Sequence, residues 1–211
     1  KPNSMSKGFR TFQAAQNTWD PQLYFPTPPS FLKDWETRIV PAQHLFGSLP
    51  AAKRAELLLA INQYINADKT NIQALYTKES GLSNARFESE FSRLTQTILL
   101  FAEHILELPW EKTSELNHEA KTLRKKRLPL GPVLVLGSSN FPLAYSTMGG
   151  DSVAALAAGC CVVVKAHPMH VGTSLAVANC VARALTECAL PSAIFSHVID
   201  NTYHWASTFA Q

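Results

Sequence analysis

Apolar residues in this chain recur with two different periods, and the change from one to the other divides it. From residue 31 to residue 109 the spacing is helical. Residues 31–46 carry a helical pattern interrupted at Pro41, and after a start signalled by Ser48 and Pro50 one stripe holds Leu57, Leu58, Ile61, Tyr64 and Ile65. Asp68 stands where it can cap a second helix, which turns Ile72, Leu75 and Tyr76 inward and stops at Gly81. A third helix begins at Ser83. Its Phe87, Phe91, Leu94, Ile98, Phe101 and Ile105 lie four, three, four, three and four residues apart, up to Pro109. Three antiparallel helices predict a layer that buries these stripes on the apolar sheet that follows.

From residue 130 onward the pattern changes to short apolar runs alternating with helical segments. Residues 133–136 form a run closed by Gly137, which suits a strand of a parallel sheet buried on both faces. Ser138, Ser139 and Asn140 offer N-cap side chains for a crossover helix that ends at Gly159, with Gly149 and Gly150 inside it. A second strand over residues 161–165, a helix over 172–188, a third strand over 194–199 and the start of a helix at Tyr203 complete the series. The predicted fold class is α/β, a partial doubly wound, Rossmann-like parallel sheet with an N-terminal helical layer. Its parts are an arm over residues 1–30, rich in proline, the layer over 31–109, a bridging strand segment over 110–129 and the Rossmann-like half over 130–211. In the bridging segment five bases fall within seven residues, Lys121, Arg124, Lys125, Lys126 and Arg127, which predicts a solvated edge strand.

Composition narrows the function classes. At 46% hydrophobic and 17% charged residues the chain is a folded globular protein, and a net charge of +3 with no aromatic interleaving gives no case for nucleic acid. The longest apolar run, residues 153–164, is broken by Gly159 and falls short of the roughly 20 residues a membrane helix requires. Cys160, Cys161, Cys180 and Cys188 show no CxxC pair, and together with an N-terminus lacking a signal-peptide pattern they predict reduced core residues in a soluble, cytoplasmic protein.

Ligands of such sheets bind outside the carboxyl ends of the strands, here residues 137–140 and 165–168. No GxGxxG follows the first strand. Asn140 is either a helix cap or an amide donor to an oxyanion at the mouth of the sheet. Lys165, ending its strand, either reaches to water or hydrogen-bonds ribose or phosphate. His167 and His170 are three residues apart but have no third ligand nearby, so no metal is expected.

The stretch GPVLVLGSSNFPLAYSTMGGDSVAALAAGCCVVVKAHPMHVGTS, with NFP, GGD and VVVKAHP in that order, closely resembles the cofactor domain of the aldehyde dehydrogenase superfamily, in particular the branch acting on 2-oxoglutarate semialdehyde and fatty aldehydes. SLPAAKRAELL and ESGL resemble the family's N-terminal part more weakly. The resemblance implies a cofactor of the NADP or NAD type and a small-molecule aldehyde substrate. It matches Asn140 to the oxyanion donor and Leu136, Gly137 and Ser138 to the turn along the nicotinamide half. Lys165, with His167 and Pro168 beside it, matches the ribose site. NAD-preferring relatives often carry a glutamate at the position of Pro168. A carboxylate 4 Å from a ribose phosphate costs about 4 kcal/mol at an effective dielectric of 20, so its absence predicts that NADP is accepted. The segment VIDNTYHWASTFAQ lacks the glycines usual in relatives. The family's nucleophilic cysteine, glutamate base and second domain lie past the position of Gln211, so these 211 residues alone are expected to be inactive. Residues 111–127 are the expected edge for homo-oligomer pairing. The alternatives are a non-catalytic nucleotide-binding or assembly module of the same fold, and a flavodoxin-like flavin or phosphate binder.

Overall fold

A computed structural model of the protein describes residues 7–107, 114–118, 121–125 and 127–209. The arm opens with a small antiparallel pair, β1 (Phe12–Gln13) with β2 (Thr18–Trp19). It is tied down along its length. Phe9 and Tyr24 form a bridge, Thr27 N–H donates to Ile199 O at 2.8 Å, and Ile199 N–H donates to Thr27 Oγ1 at 2.9 Å.

The helical part begins with α1 (Phe31–Asp34), a π-type turn (Trp35–Ile39) and α2 (Val40–Ser48). The interruption expected at Pro41 takes the form of that π-type turn, and the chain stays helical through the proline. It stands just past the π-type turn, inside a helical run that continues from residue 31 to residue 48. Ser48 does not cap the next helix, because its hydroxyl donates back to Leu45 O and Pro50 holds the cap position. Then follow α3 (Ala51–Ala67), α4 (Lys69–Ser80) and α5 (Asn84–Glu107). Asp68 joins α3 to α4 without a side-chain cap bond, its carboxylate taking Asn71 Nδ2 instead, while Gly81 ends α4 at φ +69°, a left-handed conformation that favours glycine. Phe87, Phe91, Leu94, Ile98 and Ile105 of α5 are all buried, whereas Phe101 is half-buried and Ala102 takes the inner position.

The bridging segment holds a hairpin, β3 (Ser114–His118) with β4 (Lys121–Lys125), in place of a single edge strand. Residues 108–113, 119–120 and 126 of that predicted segment and its approach lie outside the described residues. A three-stranded parallel sheet comes next, with β5 (Val133–Leu136), β6 (Val162–Lys165) and β7 (Phe195–Val198) in sequence order, Leu136 opposite Lys165 and Lys165 opposite Val198. Both crossovers carry a helix, α6 (Gly150–Ala157) and α7 (Val171–Glu187), and α8 (His204–Phe209) follows β7.

Three expectations change. The layer of α3, α4 and α5 packs on α6 and α7, and not directly on the strands. Consecutive right-handed crossovers put both helices on one face of the sheet, so the layer meets helices first. β6 is buried on both faces, but β5 lies at the margin of the three strands and its last residue, Leu136, is 56% exposed. The helix predicted from residues 138–140 starts only at Gly150, so Asn140 caps nothing and Gly149 and Gly150 open the helix rather than sit within it. A chain of turns fills the gap. It returns so tightly that a Cβ on Gly149 would lie 2.6 Å from Ala144 O. Arg54, buried in α3, donates from Nε to Ala157 O at 3.0 Å and so places a cation at the C-terminal end of α6.

Candidate functional site

At the carboxyl ends of β5 and β6 two turns lie side by side. Gly137 N–H donates to Lys165 O at 3.0 Å, and a Cβ on Gly137 would stand 3.1 Å from both His167 N and Ser146 Oγ, so any side chain there would push its neighbours back by a few tenths of an ångström. The turns are then tied together by His170, whose Nε2 lies 2.8 Å from Ser138 O. A carbonyl can only accept, so Nε2 carries the hydrogen. The other ring nitrogen, Nδ1, is buried without a partner among the described residues. Burial pushes the pKa of His170 down, and burial with the charges of His170 and Lys165 pushes His167 down to about 4. The two rings stack with centroids 5.3 Å apart. The two rings face each other across the second turn, and among the described residues no group of three or more His, Cys, Asp or Glu side chains gathers.

Asn140 is exposed on the first turn. Ser138 Oγ donates to its Oδ1 at 2.7 Å, which orients the amide and leaves the Nδ2 hydrogens with no partner among the described residues. Such an amide can donate outward to an oxygen that gains negative charge. Lys165 is at the other end of the mouth and only 9% exposed. Its Nζ donates to Asp200 O at 3.0 Å, and of the three ammonium hydrogens two remain. Desolvation lowers its pKa, opposed by the Asp200 charge. The Asp200 carboxylate is itself turned away, accepting from Thr202 N–H and Oγ1. Between the two ends Leu136 presents its exposed apolar side chain, and Pro168 lies half-buried in the second turn. The structure therefore gathers Gly137, Ser138, His167 and Lys165 around one junction. It sets Asn140 toward α5 and the Lys165 ammonium toward the end of β7, with no contact between them among the described residues.

Two carboxylates absent from the sequence-level reading support these turns from behind. Glu79 of α4 accepts from Gly172 N–H and Thr173 N–H, both at 2.8 Å, and from Thr173 Oγ1 at 2.6 Å, so the N-terminus of α7 is occupied by an acid from another helix. Desolvation raises the Glu79 pKa against the pull of those donors. Glu90 of α5 accepts from Leu143 N–H at 3.1 Å, Ala144 N–H at 3.2 Å, Tyr76 hydroxyl at 2.8 Å and Arg86 Nε at 3.0 Å. Both had a signal in the sequence. Glu79 follows Tyr76 by three and Glu90 follows Phe87 by three, core positions on apolar stripes where an acid must have partners. Deeper, Ser174 Oγ lies 2.7 Å from His197 Nε2 and 2.5 Å from Thr147 Oγ1, a polar chain joining α7 to β7 and to the turns before α6.

A helical layer over a parallel sheet, with a conspicuous pair of turns at the carboxyl ends of two neighbouring strands, defines half of a Rossmann-like nucleotide-binding fold. The model of the Aldehyde dehydrogenase family matches residues 39–211, and the chain belongs to that family. It is 38% identical over 156 residues to the alpha-ketoglutaric semialdehyde dehydrogenase of Acinetobacter baylyi, a match covering 71% of this chain and 30% of that protein. Over 157 residues it is likewise 38% identical to alpha-ketoglutaric semialdehyde dehydrogenase 2 of Azospirillum brasilense, again 71% of this chain and 30% of the relative. The chain thus spans about 30% of the length of these curated relatives. Among solved structures, the glyceraldehyde-3-phosphate dehydrogenase of Methanocaldococcus jannaschii complexed with NADP shares the fold at a TM-score of 0.80 and 16% identity, covering 92% of this chain and 41% of that one.

Proposed function

We propose that these residues are the N-terminal, cofactor-binding portion of an NAD(P)-dependent aldehyde dehydrogenase that oxidises a semialdehyde or a fatty aldehyde to the carboxylic acid. One observation carries the reading: Ser138 fixes the Asn140 amide with its donors outward at one end of the mouth, while Lys165 keeps two ammonium hydrogens at the other. The donor set fits a dinucleotide, with Lys165 on ribose or its phosphate, Leu136 offering an apolar surface, and residues 136–138 flanking the nicotinamide half. His167 and Pro168 line the ribose side, and no carboxylate stands at Pro168 to repel a ribose phosphate, so NADP is accepted. The bound cofactor supplies the hydride acceptor. Asn140 holds the aldehyde oxygen as negative charge develops on it.

The nucleophile comes from outside these residues in this reading, and so do the base and the catalytic domain. Burial pushes Cys161 up to about 12 and Cys180 up to about 11, and Cys160 is buried, so these thiols suit packing and not attack. The same unpaired thiols fit a cytoplasmic protein. Among the described residues β3 and β4 pair with each other and with no third strand, an arrangement that suits strand pairing in a homo-oligomer. No helix among the described residues is long and apolar enough to cross a membrane. Titration of the complete gene product with NADP and NAD, alone and as Lys165→Ala, tests the assignment. Saturable dinucleotide binding weakened at least tenfold by the substitution is expected. Binding of flavin in place of either dinucleotide, or indifference to the substitution, refutes it.

A further inference from the structure

Asn140 is held from a second side, by the helical layer. Arg86 of α5 lies with its guanidinium carbon 4.3 Å from the centre of the Phe141 ring, and its Nη2 reaches the Asn140 carbonyl at 3.5 Å, the long end of hydrogen bonding. Its Nε meanwhile donates to Glu90 at 3.0 Å, and Glu90, 3% exposed, takes the N–H groups of Leu143 and Ala144. The four contacts bracket the turn, because one carboxylate and one planar cation fix residues 140 and 141 on one side and residues 143 and 144 on the other. A buried carboxylate is costly without such partners, and Tyr76 completes the set. No periodic or packing demand of α5 needs an acid here, since the same face is otherwise Phe87, Phe91 and Leu94.

We infer that Arg86 and Glu90 are positioning residues that set the height and direction of the Asn140 amide at the mouth, so that α5 governs the oxyanion contact without touching substrate. The inference rests on the reading of Asn140 as the oxyanion donor. An amide misplaced by an ångström or less loses a large part of its effect on rate.

The test is a double-mutant cycle in aldehyde turnover by the complete gene product, with Arg86→Ala, Asn140→Ala and both together. Arg86 is 39% exposed at its side chain, but its removal takes the cation from the buried Glu90, so thermal unfolding is measured beside turnover to separate lost stability from lost rate. Arg86→Ala is expected to lower kcat about tenfold with the dinucleotide KM unchanged, and to add less than about twofold once Asn140 is already alanine. Arg86→Lys, which keeps the charge on Glu90 but not the planar stack on Phe141, recovers only part of the loss. Equal factors in both backgrounds overturn the inference, as does a kcat unaltered by Arg86→Ala. A wild-type kcat in Asn140→Ala alone overturns the reading beneath it. Independently of turnover, the side-chain amide resonance of Asn140 shifts in Arg86→Ala but not in Lys165→Ala, and an unmoved resonance also overturns the inference.

Discussion

His170 and Ser138 are 32 residues apart in sequence and 2.8 Å apart in the fold, ring nitrogen to carbonyl oxygen, and this one bond joins the turns that end β5 and β6. Nε2 must donate to the carbonyl, which fixes that hydrogen, and burial of Nδ1 without a partner among the described residues disfavours a second proton there. His170→Ala breaks the tie and opens a hole under the junction. A loss of about 2 kcal/mol in unfolding free energy is expected, the scale of a buried polar group left without its partner. Urea denaturation measures it, and dinucleotide affinity should fall in parallel because both turns border the mouth.

Glu79 performs the capping that no residue of α7 performs for itself. Its two oxygens serve three donors at residues 172 and 173. Glu79→Gln keeps the shape but turns an NH2 group toward at least one of those N–H groups, and a cost of about 1–2 kcal/mol follows. Glu79→Ala should cost more, about 3 kcal/mol, since the donors then face no acceptor. Melting of the two variants side by side decides it. If Glu79→Ala were the more stable, the carboxylate would be a burden and not a cap.

Where burial repeats along the chain the sequence could be read. Residues 133–136 form the strand expected there, residues 162–165 form all but the first residue of the strand expected over 161–165, and the α5 stripe lies inside except for Phe101, because periodicity records which side chains leave water. The candidate site was legible in part for the same reason: strand ends locate Asn140 and Lys165. What stayed hidden depends on partners distant in sequence. The start of α6 lies at 150 and not at 138–140, and in the turns that take its place Glu90, 53 residues before Leu143, holds the N–H groups of residues 143 and 144. Leu136 looked buried because an apolar run does not say whether its strand is flanked on both sides. The bond from Lys165 to Asp200 O likewise requires the third strand in place.

Pro168 offers a direct test of cofactor preference. The Asp200 carboxylate, whose charge acts on Lys165, accepts from Thr202, and no acid stands at position 168 itself. Pro168→Glu introduces one. Repulsion at an effective dielectric near 20 is worth up to about 4 kcal/mol at 4 Å, and solvent reduces it, so a fall of at least tenfold in NADP affinity relative to NAD is expected. Isothermal titration with both dinucleotides reads the ratio. An unchanged ratio would place the ribose elsewhere.

Stability should decline as solutions become mildly acidic. Burial pushes His197 down to about 4 while an unfolded chain titrates it near 6.5. Between those values the unfolded state binds the proton and the folded state does not, so the unfolding free energy rises with pH across this window and is lost as pH falls through it. The full effect is about 3 kcal/mol for this one group, complete below pH 4. His167, also pushed down to about 4, acts in the same direction. The Ser174 hydroxyl at 2.7 Å gives a way to isolate the deeper group. His197→Gln retains a hydrogen-bonding partner for Ser174 but cannot titrate, so its unfolding free energy should vary less steeply between pH 4 and 6.5 than that of the wild type. Equilibrium denaturation at half-unit pH steps makes the comparison, and parallel curves for the two proteins would show that His197 is not the source of the slope.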